Sequence, residues 1–397
     1  MLRRQFLRHA ALAPAALSPA VEDEAAWEKF RAEHFLLPDW RAYLNTGSVG
    51  TAPRRVVEAT NQYLSLGASY ATEQYPRWGY EAMEGHREAL GKFLGARREE
   101  IALTHNATES MSLIANGLDM KPGDEVLITD QEHPSGRGCW QLKQARQGIR
   151  IREAPVPVPP RNAEEIHEAV VGAIRPETKV LSFSGITTHT GLMFPVASIC
   201  AAARERGVIT VVDGAHMPGQ VAFRLDELGC DVFAGSLHKW LLTPPGCGVL
   251  YVRESFQSRL WPTIVVEGWR NQKDALKYMQ LGCNNRAELE GMLEALKFIG
   301  EVGAERMRAR IHYLARYAAE RARAIPYLKV LTAVDDRLYG GMVAFEVERR
   351  DYEPLWKKLG ERKIWTLRGQ KIRVSSHIHT RRSDLDRLFD TVKEVYG

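Results

Sequence analysis

The chain reads as an α/β protein, with a large domain built on a mostly parallel, seven-stranded sheet and a smaller α+β domain after it. Three observations predict this. Short apolar runs alternate with helical patterns between residues 100 and 252. Most of those runs stop at a polar cluster on their carboxyl side. From about residue 285 the alternation gives way to long helices and then a few strands. A length of 397 residues, 45% hydrophobic and 26% charged, suits two globular domains.

The elements follow in order. "EDEAAWEKFRAEHF" has helical spacing, and "YLNTGSVG" is a short strand entering a Gly-rich turn. "PRRVVEATNQYLSLG" and "GYEAMEGHREALGKFLG" are helical. Seven strands then come in turn: "EIALT", "DEVLIT", "IRIREAPV", "KVLSFSGI", "VITVVD", "CDVFAGS" and "GVLYVR". Helices lie between them at "NATESMSLIANGL", near 135–147, over 162–175 and at "VASICAAARERG". Such alternation implies a parallel sheet with helices on both faces. The second domain opens with "NRAELEGMLEALKFIGEVG" and an arginine-rich helix. The strands "GGMVAFEVE" and "KIRVSSH" and the helix "DLDRLFDTVKEVY" complete it.

Charge excludes some functions. The formal charge of +5 owes three units to Arg3, Arg4 and Arg8, and the rest is nearly neutral, which argues against nucleic-acid binding. The densest basic stretch, "KIRVSSHIHTRRSDLDR", reads as a solvated helix start. No run is long and apolar enough to span a bilayer, so no stable membrane association is expected. Cys139, Cys200, Cys230, Cys247 and Cys283 are scattered, without zinc spacing, so no metal site is expected. An odd, dispersed set predicts reduced, mostly buried thiols and folding in the cytoplasm.

The polar clusters carry the chemistry. Asn106-Ala107-Thr108-Glu109 follows the first strand at a helix start, and His133 follows the second. Thr187 and Thr188 follow the fourth, Asp213 and His216 the fifth, and Ser236, His238 and Lys239 the sixth. In open parallel sheets the ligand crevice lies outside the carboxyl ends of the strands, so these groups should converge. A helix start suits a phosphate. A flat histidine can lie on an aromatic ring, and a carboxylate can pair with a protonated ring nitrogen. A lysine in a partly dry pocket can form a Schiff base with an aldehyde. Phosphate, ring, ring nitrogen and aldehyde together describe pyridoxal 5′-phosphate. Taken singly, each residue has a plainer reading. Lys239 is then a surface lysine, Asp213 a turn or capping residue, His133 a histidine beside a Pro turn, and Thr108 a helix cap. Their joint placement favours the functional reading.

"VVDGAH" followed by "GSLHKWLLTPPGCGVLYV" resembles the class V aminotransferase family of fold-type I pyridoxal-phosphate enzymes. The order and spacing of "ATE", "EH", "DGAH" and "SLHK" match across about residues 40–395. "YLNTGSVG" and "ITTHTGLMFPV" look most like the isopenicillin N epimerase-like branch. The resemblance implies roles. Lys239 carries the cofactor and moves protons, Asp213 pairs with the pyridine nitrogen, and His133 stacks on the ring. His216 lies near the phenolate side, and Thr188 stands at the cofactor-hydroxyl position, where relatives often have Asn. Ala107, Thr108, Ser236 and His238 hold the phosphate. Asn45 and Arg373 bind the substrate, Arg373 gripping its carboxylate, the plainer reading of Arg373 being a structural ion pair. The partner-subunit phosphate contact would fall at Cys283, with Asn284 or Asn285 as substitutes. A homodimer is implied.

The chain is thus expected to divide into an export signal (1–20), an N-terminal segment reaching the small domain and the site (21–50), a large cofactor domain (51–280) and a small C-terminal domain (281–397). Within the first, "RRQFLR" resembles a twin-arginine signal, with Leu2 at the usual Ser or Thr position. Export by that route, to the periplasm or beyond, is the expectation. The alternatives are an amphipathic N-terminal helix and a cytoplasmic protein.

The expected function is a pyridoxal-phosphate enzyme acting at Cα of an amino acid or amino-acid-like substrate, by epimerisation or transamination. A C–S or β-elimination lyase is the alternative. A cysteine desulfurase needs a nucleophilic Cys just before the Arg373 region, and "ERKIWTLRGQKIRVS" has none. A non-catalytic binding protein of this fold would have lost the lysine or gained a DNA-binding domain, and neither is seen. A dinucleotide dehydrogenase would show G-x-G-x-x-G after a first strand, which is absent.

Overall fold

The computed structural model describes residues 19–69, 83–271, 274–282, 284–348 and 351–397. The arginine pair at 3 and 4, most of the loop "SYATEQYPRWGY" and Cys283 lie outside the described residues. The strands, in chain order, are β1 (Ala42–Tyr43), β2 (Ile101–Thr104), β3 (Glu125–Thr129), β4 (Arg150–Ala154), β5 (Thr178–Ser184) and β6 (Ile209–Asp213). They continue with β7 (Val232–Ser236), β8 (Gly248–Val252), β9 (Leu328–Val330), β10 (Met342–Val347), β11 (Ile364–Trp365) and β12 (Ile372–Ser375).

Seven of these form the central sheet, in the order β2-β8-β7-β6-β5-β3-β4. Only β8 runs against its neighbours, β2 and β7. The sheet is therefore mostly parallel, as the alternation predicts, and one strand of the seven is reversed. β2, β3, β7 and β8 are buried along their whole length, because helices cover the sheet. Helix starts are set by local chemistry. Asn106 accepts from Glu109 N–H to cap Ala107–Gly117, and Asn162 caps Ala163–Val171 in the same way. Pro134 opens Pro134–Gln147, which Gly148 closes with φ of 69°.

The second layer of structure is built by β12-β10-β9, an antiparallel sheet, and by the parallel pair β1-β11. Its own hydrophobic cluster includes Leu44, Leu314, Phe345, Leu359, Val374 and Phe389. The N-terminal segment enters it: β1 pairs with β11, and Asn45 bridges Ser375. This brings "NTGS" beside β12, over the carboxyl ends of the central strands.

The sequence reading of the basic stretch at 371–387 is corrected here. Ile372–Ser375 is a buried strand, and Arg373, His377, His379 and Thr380 are buried as well. The solvated helix begins only at Arg382. Alternating Ile372 and Val374 carry the strand signal, and the strand expected at "KIRVSSH" is present; what the surrounding charge conceals is its burial. The short strand expected at "YLNTGSVG" is present as β1, one residue earlier and only two residues long, whereas the helix Glu353–Glu361 and the strands β9 and β11 were not legible as elements.

Arg31 ties the ends of the chain together. From helix Glu24–His34 its guanidinium donates to His379 O at 2.9 Å, Pro38 O at 3.0 Å and Arg41 O at 2.9 Å, and pairs with Asp384 at 3.3 Å. Both charged groups are fully buried. Arg31→Met leaves Asp384 with less compensation and strands three carbonyls, so it should cost about 3–5 kcal/mol of stability. Urea unfolding measures this, and a loss below about 1 kcal/mol would mean that the pair behaves as a surface one.

Candidate active site

The sequence-predicted residues come together at the carboxyl ends of β2, β3, β5, β6 and β7. At β2 the helix Ala107–Gly117 starts with its N-terminus facing β7, and Ala107 N–H donates to Ser236 Oγ at 3.0 Å. The approach is close: a Cβ on Gly248 would sit 2.5 Å from Asn106 N. His238 lies beside Ser236, and its Nδ1 is buried without a hydrogen-bond partner. A helix start with Thr108 in its first turn, a serine and an unpartnered histidine nitrogen make a fitting cradle for a phosphate.

Lys239 occupies the four-residue helix Leu237–Trp240 that follows β7. Its amine is enclosed, and burial pushes its pKa down to about 8, with the Asp213 carboxylate working against the shift and Arg373 adding to it. Asp213 ends β6, where Oδ1 accepts from Ala215 N–H at 3.0 Å. Its other oxygen faces Gly136, where a Cβ would lie 3.1 Å away. The Asp213 charge reaches His133 as well, although burial dominates and keeps that imidazole below its ordinary pKa. His133 caps Pro134–Gln147, its Nδ1 accepting from Ser135 N–H at 3.1 Å. A neutral His133 therefore carries its proton on Nε2.

His216 is fully buried three residues beyond Asp213. Its Nε2 lies 3.3 Å from Lys239 Nζ and 3.1 Å from Thr188 Oγ1. Burial, reinforced by the charges of Lys239 and Arg373, holds it well below the usual histidine pKa. The neutral ring is therefore its favoured form.

Arg373 reaches the same cluster from β12, through Thr188. Its guanidinium donates to Thr188 O at 2.9 Å, Asn45 Oδ1 at 2.9 Å and Ser48 Oγ at 3.0 Å, while Nε has no partner. Among the described residues no carboxylate pairs with it. Burial alone lowers its pKa to about 10. The structural ion pair is thereby set aside. A buried guanidinium without a carboxylate partner is a group that an anion can compensate.

Three groups went unnoticed in the sequence. Ser48 sits in the recognised "NTGSVG" turn, and its hydroxyl role needs the Arg373 geometry. Gly50 N–H donates to His238 O at 2.7 Å, and a Cβ there would meet Lys239 O at 2.0 Å. Glu132 is buried beside His133, accepting from Thr129 Oγ1, Ser184 Oγ and Ser184 N–H, with burial pushing its pKa up to about 7. The four described cysteines are buried, and Cys139, the one near Asp213, has its thiol pushed up to about 12, so none is a poised thiolate.

The neutral amine is the form that captures an aldehyde, and it dominates above the pKa. Capture of pyridoxal phosphate by cofactor-free protein should rise with pH and level off above about 8, where an ordinary lysine would still be climbing. Stopped-flow absorbance measures this. Lys239→Ala should leave no borohydride-fixed cofactor, and a variant that still fixes it would unseat Lys239.

Residues 42–388 match the family described as Aminotransferase class-V. The isopenicillin N epimerase of Streptomyces clavuligerus is 32% identical, covering 94% of this chain and 99% of that one. The same enzyme from Amycolatopsis lactamdurans is also 32% identical, over 93% and 98%. A cysteine desulfurase of Klebsiella pneumoniae is 26% identical over 77% of each chain. Among solved structures, a cystine C–S lyase in complex with its product cysteine persulfide superposes with a TM-score of 0.81 at 25% identity, covering 89% of this chain and 98% of that one. Another, with glycine covalently linked to its PLP cofactor, has a TM-score of 0.81 at 24% identity, over 89% and 97%. The cradle, the enclosed lysine and the strand-end carboxylate fit the same cofactor, and this chain belongs to the class V aminotransferase family of fold-type I, pyridoxal-phosphate-dependent enzymes.

Proposed function

We propose that this enzyme inverts the configuration at Cα of an amino acid, or of an amino-acid group within a larger substrate. The observation that carries the reading is the uncompensated Arg373 in one cavity with Lys239 and Asp213. Likeness to two epimerases over nearly the whole chain supports inversion over the other outcomes.

Bound at this site, pyridoxal phosphate supplies an aldehyde for amines and a ring that accepts the electron pair left at Cα. The protein does the rest. Ser236, His238 and the helix start at Ala107 and Thr108 hold the phosphate. Asp213 keeps a proton on the ring nitrogen. Arg373, aligned by Asn45, Ser48 and Thr188, fixes the substrate carboxylate by a two-pronged contact. Lys239 exchanges the Cα proton on one face. Inversion needs a donor for the other face, and His133 presents Nε2–H for it, because Nδ1 is held by Ser135.

A second reading, a C–S or β-elimination lyase, is favoured by the cystine C–S lyase of the same architecture. Desulfuration by a cysteine nucleophile is not supported, since no Cys lies between Cys283 and the C-terminus. The discriminating experiment offers L- and D-amino acids to the holoenzyme in heavy water. Deuterium at Cα with inverted chirality is the expected result. Pyridoxamine phosphate would mean transamination, and pyruvate-type keto acid with a released thiol would mean the lyase. Light scattering on the same sample should give twice the 44.8 kDa chain mass, the homodimer of this reading.

Export through the twin-arginine route is part of the proposal, resting on "RRQFLR". Changing Arg3 and Arg4 together to Lys should retain the protein in the cytoplasm, as read by cell fractionation. Export that persists would remove the signal reading.

A further inference from the structure

Lys239 is followed by Trp240, whose indole is completely buried. The indole N–H donates to His216 Nδ1 at 3.2 Å. Indole nitrogen can only donate. His216 Nδ1 therefore keeps its lone pair, and the neutral ring carries its single proton on Nε2. That nitrogen is the one 3.3 Å from Lys239 Nζ and 3.1 Å from Thr188 Oγ1. The tautomer is not left to chance, because the neighbour that fixes it adjoins Lys239 in the chain.

The indole itself cannot turn away. A Cβ on Gly341 would lie 2.6 Å from its Cζ3 atom, so the ring fills the space beside the glycine backbone. A Cβ on Gly219, at φ of 87°, would lie 2.3 Å from Trp240 O. His377 Nε2 bonds Trp240 O at 3.1 Å, and its ring stacks on the indole at 6.0 Å between centroids. His377 Nδ1 accepts from Ile378 N–H at 2.9 Å, so Nε2 is the donor there. Gln220 closes the seat by donating to His216 O at 2.7 Å while accepting from Gly341 N–H at 2.8 Å.

We infer that Trp240 is a positioning residue that holds His216 as a fixed Nε2–H donor facing the Lys239 nitrogen, with Thr188 Oγ1 sharing that N–H. An N–H meets a lone pair on Nζ favourably and meets a charged N–H unfavourably. The fixed tautomer thus favours Lys239 nitrogen without its extra proton, the form that takes one from Cα. With the other tautomer, Nε2 would accept and would favour the charged nitrogen. The groups facing this pair are Asp213 from β6, Arg373 from β12, His133 after β3, and Thr188 and His189 after β5, and none of them can replace the indole as a donor to Nδ1. The inference rests on Lys239 as the cofactor lysine.

The test uses holoenzyme with bound pyridoxal phosphate and reads the pH midpoint of its visible absorption band. Trp240→Phe keeps the ring and removes the donor. The midpoint should move by about one pH unit toward alkaline, a tenfold change in the equilibrium. In a His216→Gln background the same change should produce no further shift, because no tautomer remains to be set. Nitrogen-15 spectra of histidine-labelled wild type should show His216, identified by its loss in His216→Gln, with bare Nδ1 and protonated Nε2. An Nδ1–H tautomer in the wild type, or an equal shift in both backgrounds, overturns the inference. If Trp240→Phe does not fold, the wild-type spectrum alone decides it. Wild type that binds no cofactor at residue 239 strikes the Lys239 reading instead, and the spectrum distinguishes that failure from a wrong tautomer.

Discussion

The site is organised around a charge imbalance. Lys239 and Arg373 are two enclosed cationic side chains close enough to act on one another, and Asp213 is the carboxylate whose charge opposes the burial of Lys239. Glu132, the next carboxyl inward, is held close to neutrality by burial and by Asp213 itself. A protein interior does not keep excess charge without compensation. The imbalance is relieved when anions enter. On the proposed reading, a phosphate would lodge at the Ala107 helix start and a substrate carboxylate would meet Arg373.

That imbalance is affordable only because the frame around it is rigid. β6 and β7 deliver Asp213 and Ser236 from adjacent strands, each also paired on its other side, with β5 and β8. Gly214 follows Asp213 where a Cβ would fall 2.0 Å from the Phe233 ring, so "DGAH" uses glycine to let the chain turn against β7. Gly50 does the same against the Lys239 carbonyl. The carboxyl ends of the strands are fixed by sheet pairing, and the second layer brings Arg373, Asn45 and Ser48 over them. Arg31 and Asp384 then hold the chain ends that carry this layer.

Much of this was legible in the sequence. Period-two and buried apolar runs marked all seven central strands, and the polar residues at their ends pointed to one crevice. Lys239, Asp213, His216 and Ser236 fell into place because strand direction dictates where chain ends gather. Arg373 was legible only as a candidate. Its strand lies in a basic run, and burial cannot be read from residue type when charge surrounds two alternating aliphatics. Ser48, Gly50 and Glu132 were not legible, because their roles depend on contacts between segments far apart in the chain. Neither was β11, the partner of β1, since a two-residue strand carries no periodicity at all.

The Trp240–His216 contact belongs to that second kind, and it changes how the cavity should be understood. Lys239, His216 and Arg373 look, from their charges at neutral pH in water, like three bases crowded together. Burial removes His216 from the list by keeping it neutral, and the indole removes its freedom to choose which nitrogen carries the proton. What remains beside Lys239 is a hydrogen-bond donor without charge. Burial and an uncharged donor push the lysine nitrogen in the same direction, toward the free lone pair. Asp213 pushes the other way. The proton affinity of Lys239 is therefore set by a contest between one carboxylate and a dry, donor-lined wall, and that wall is built by residues of both layers.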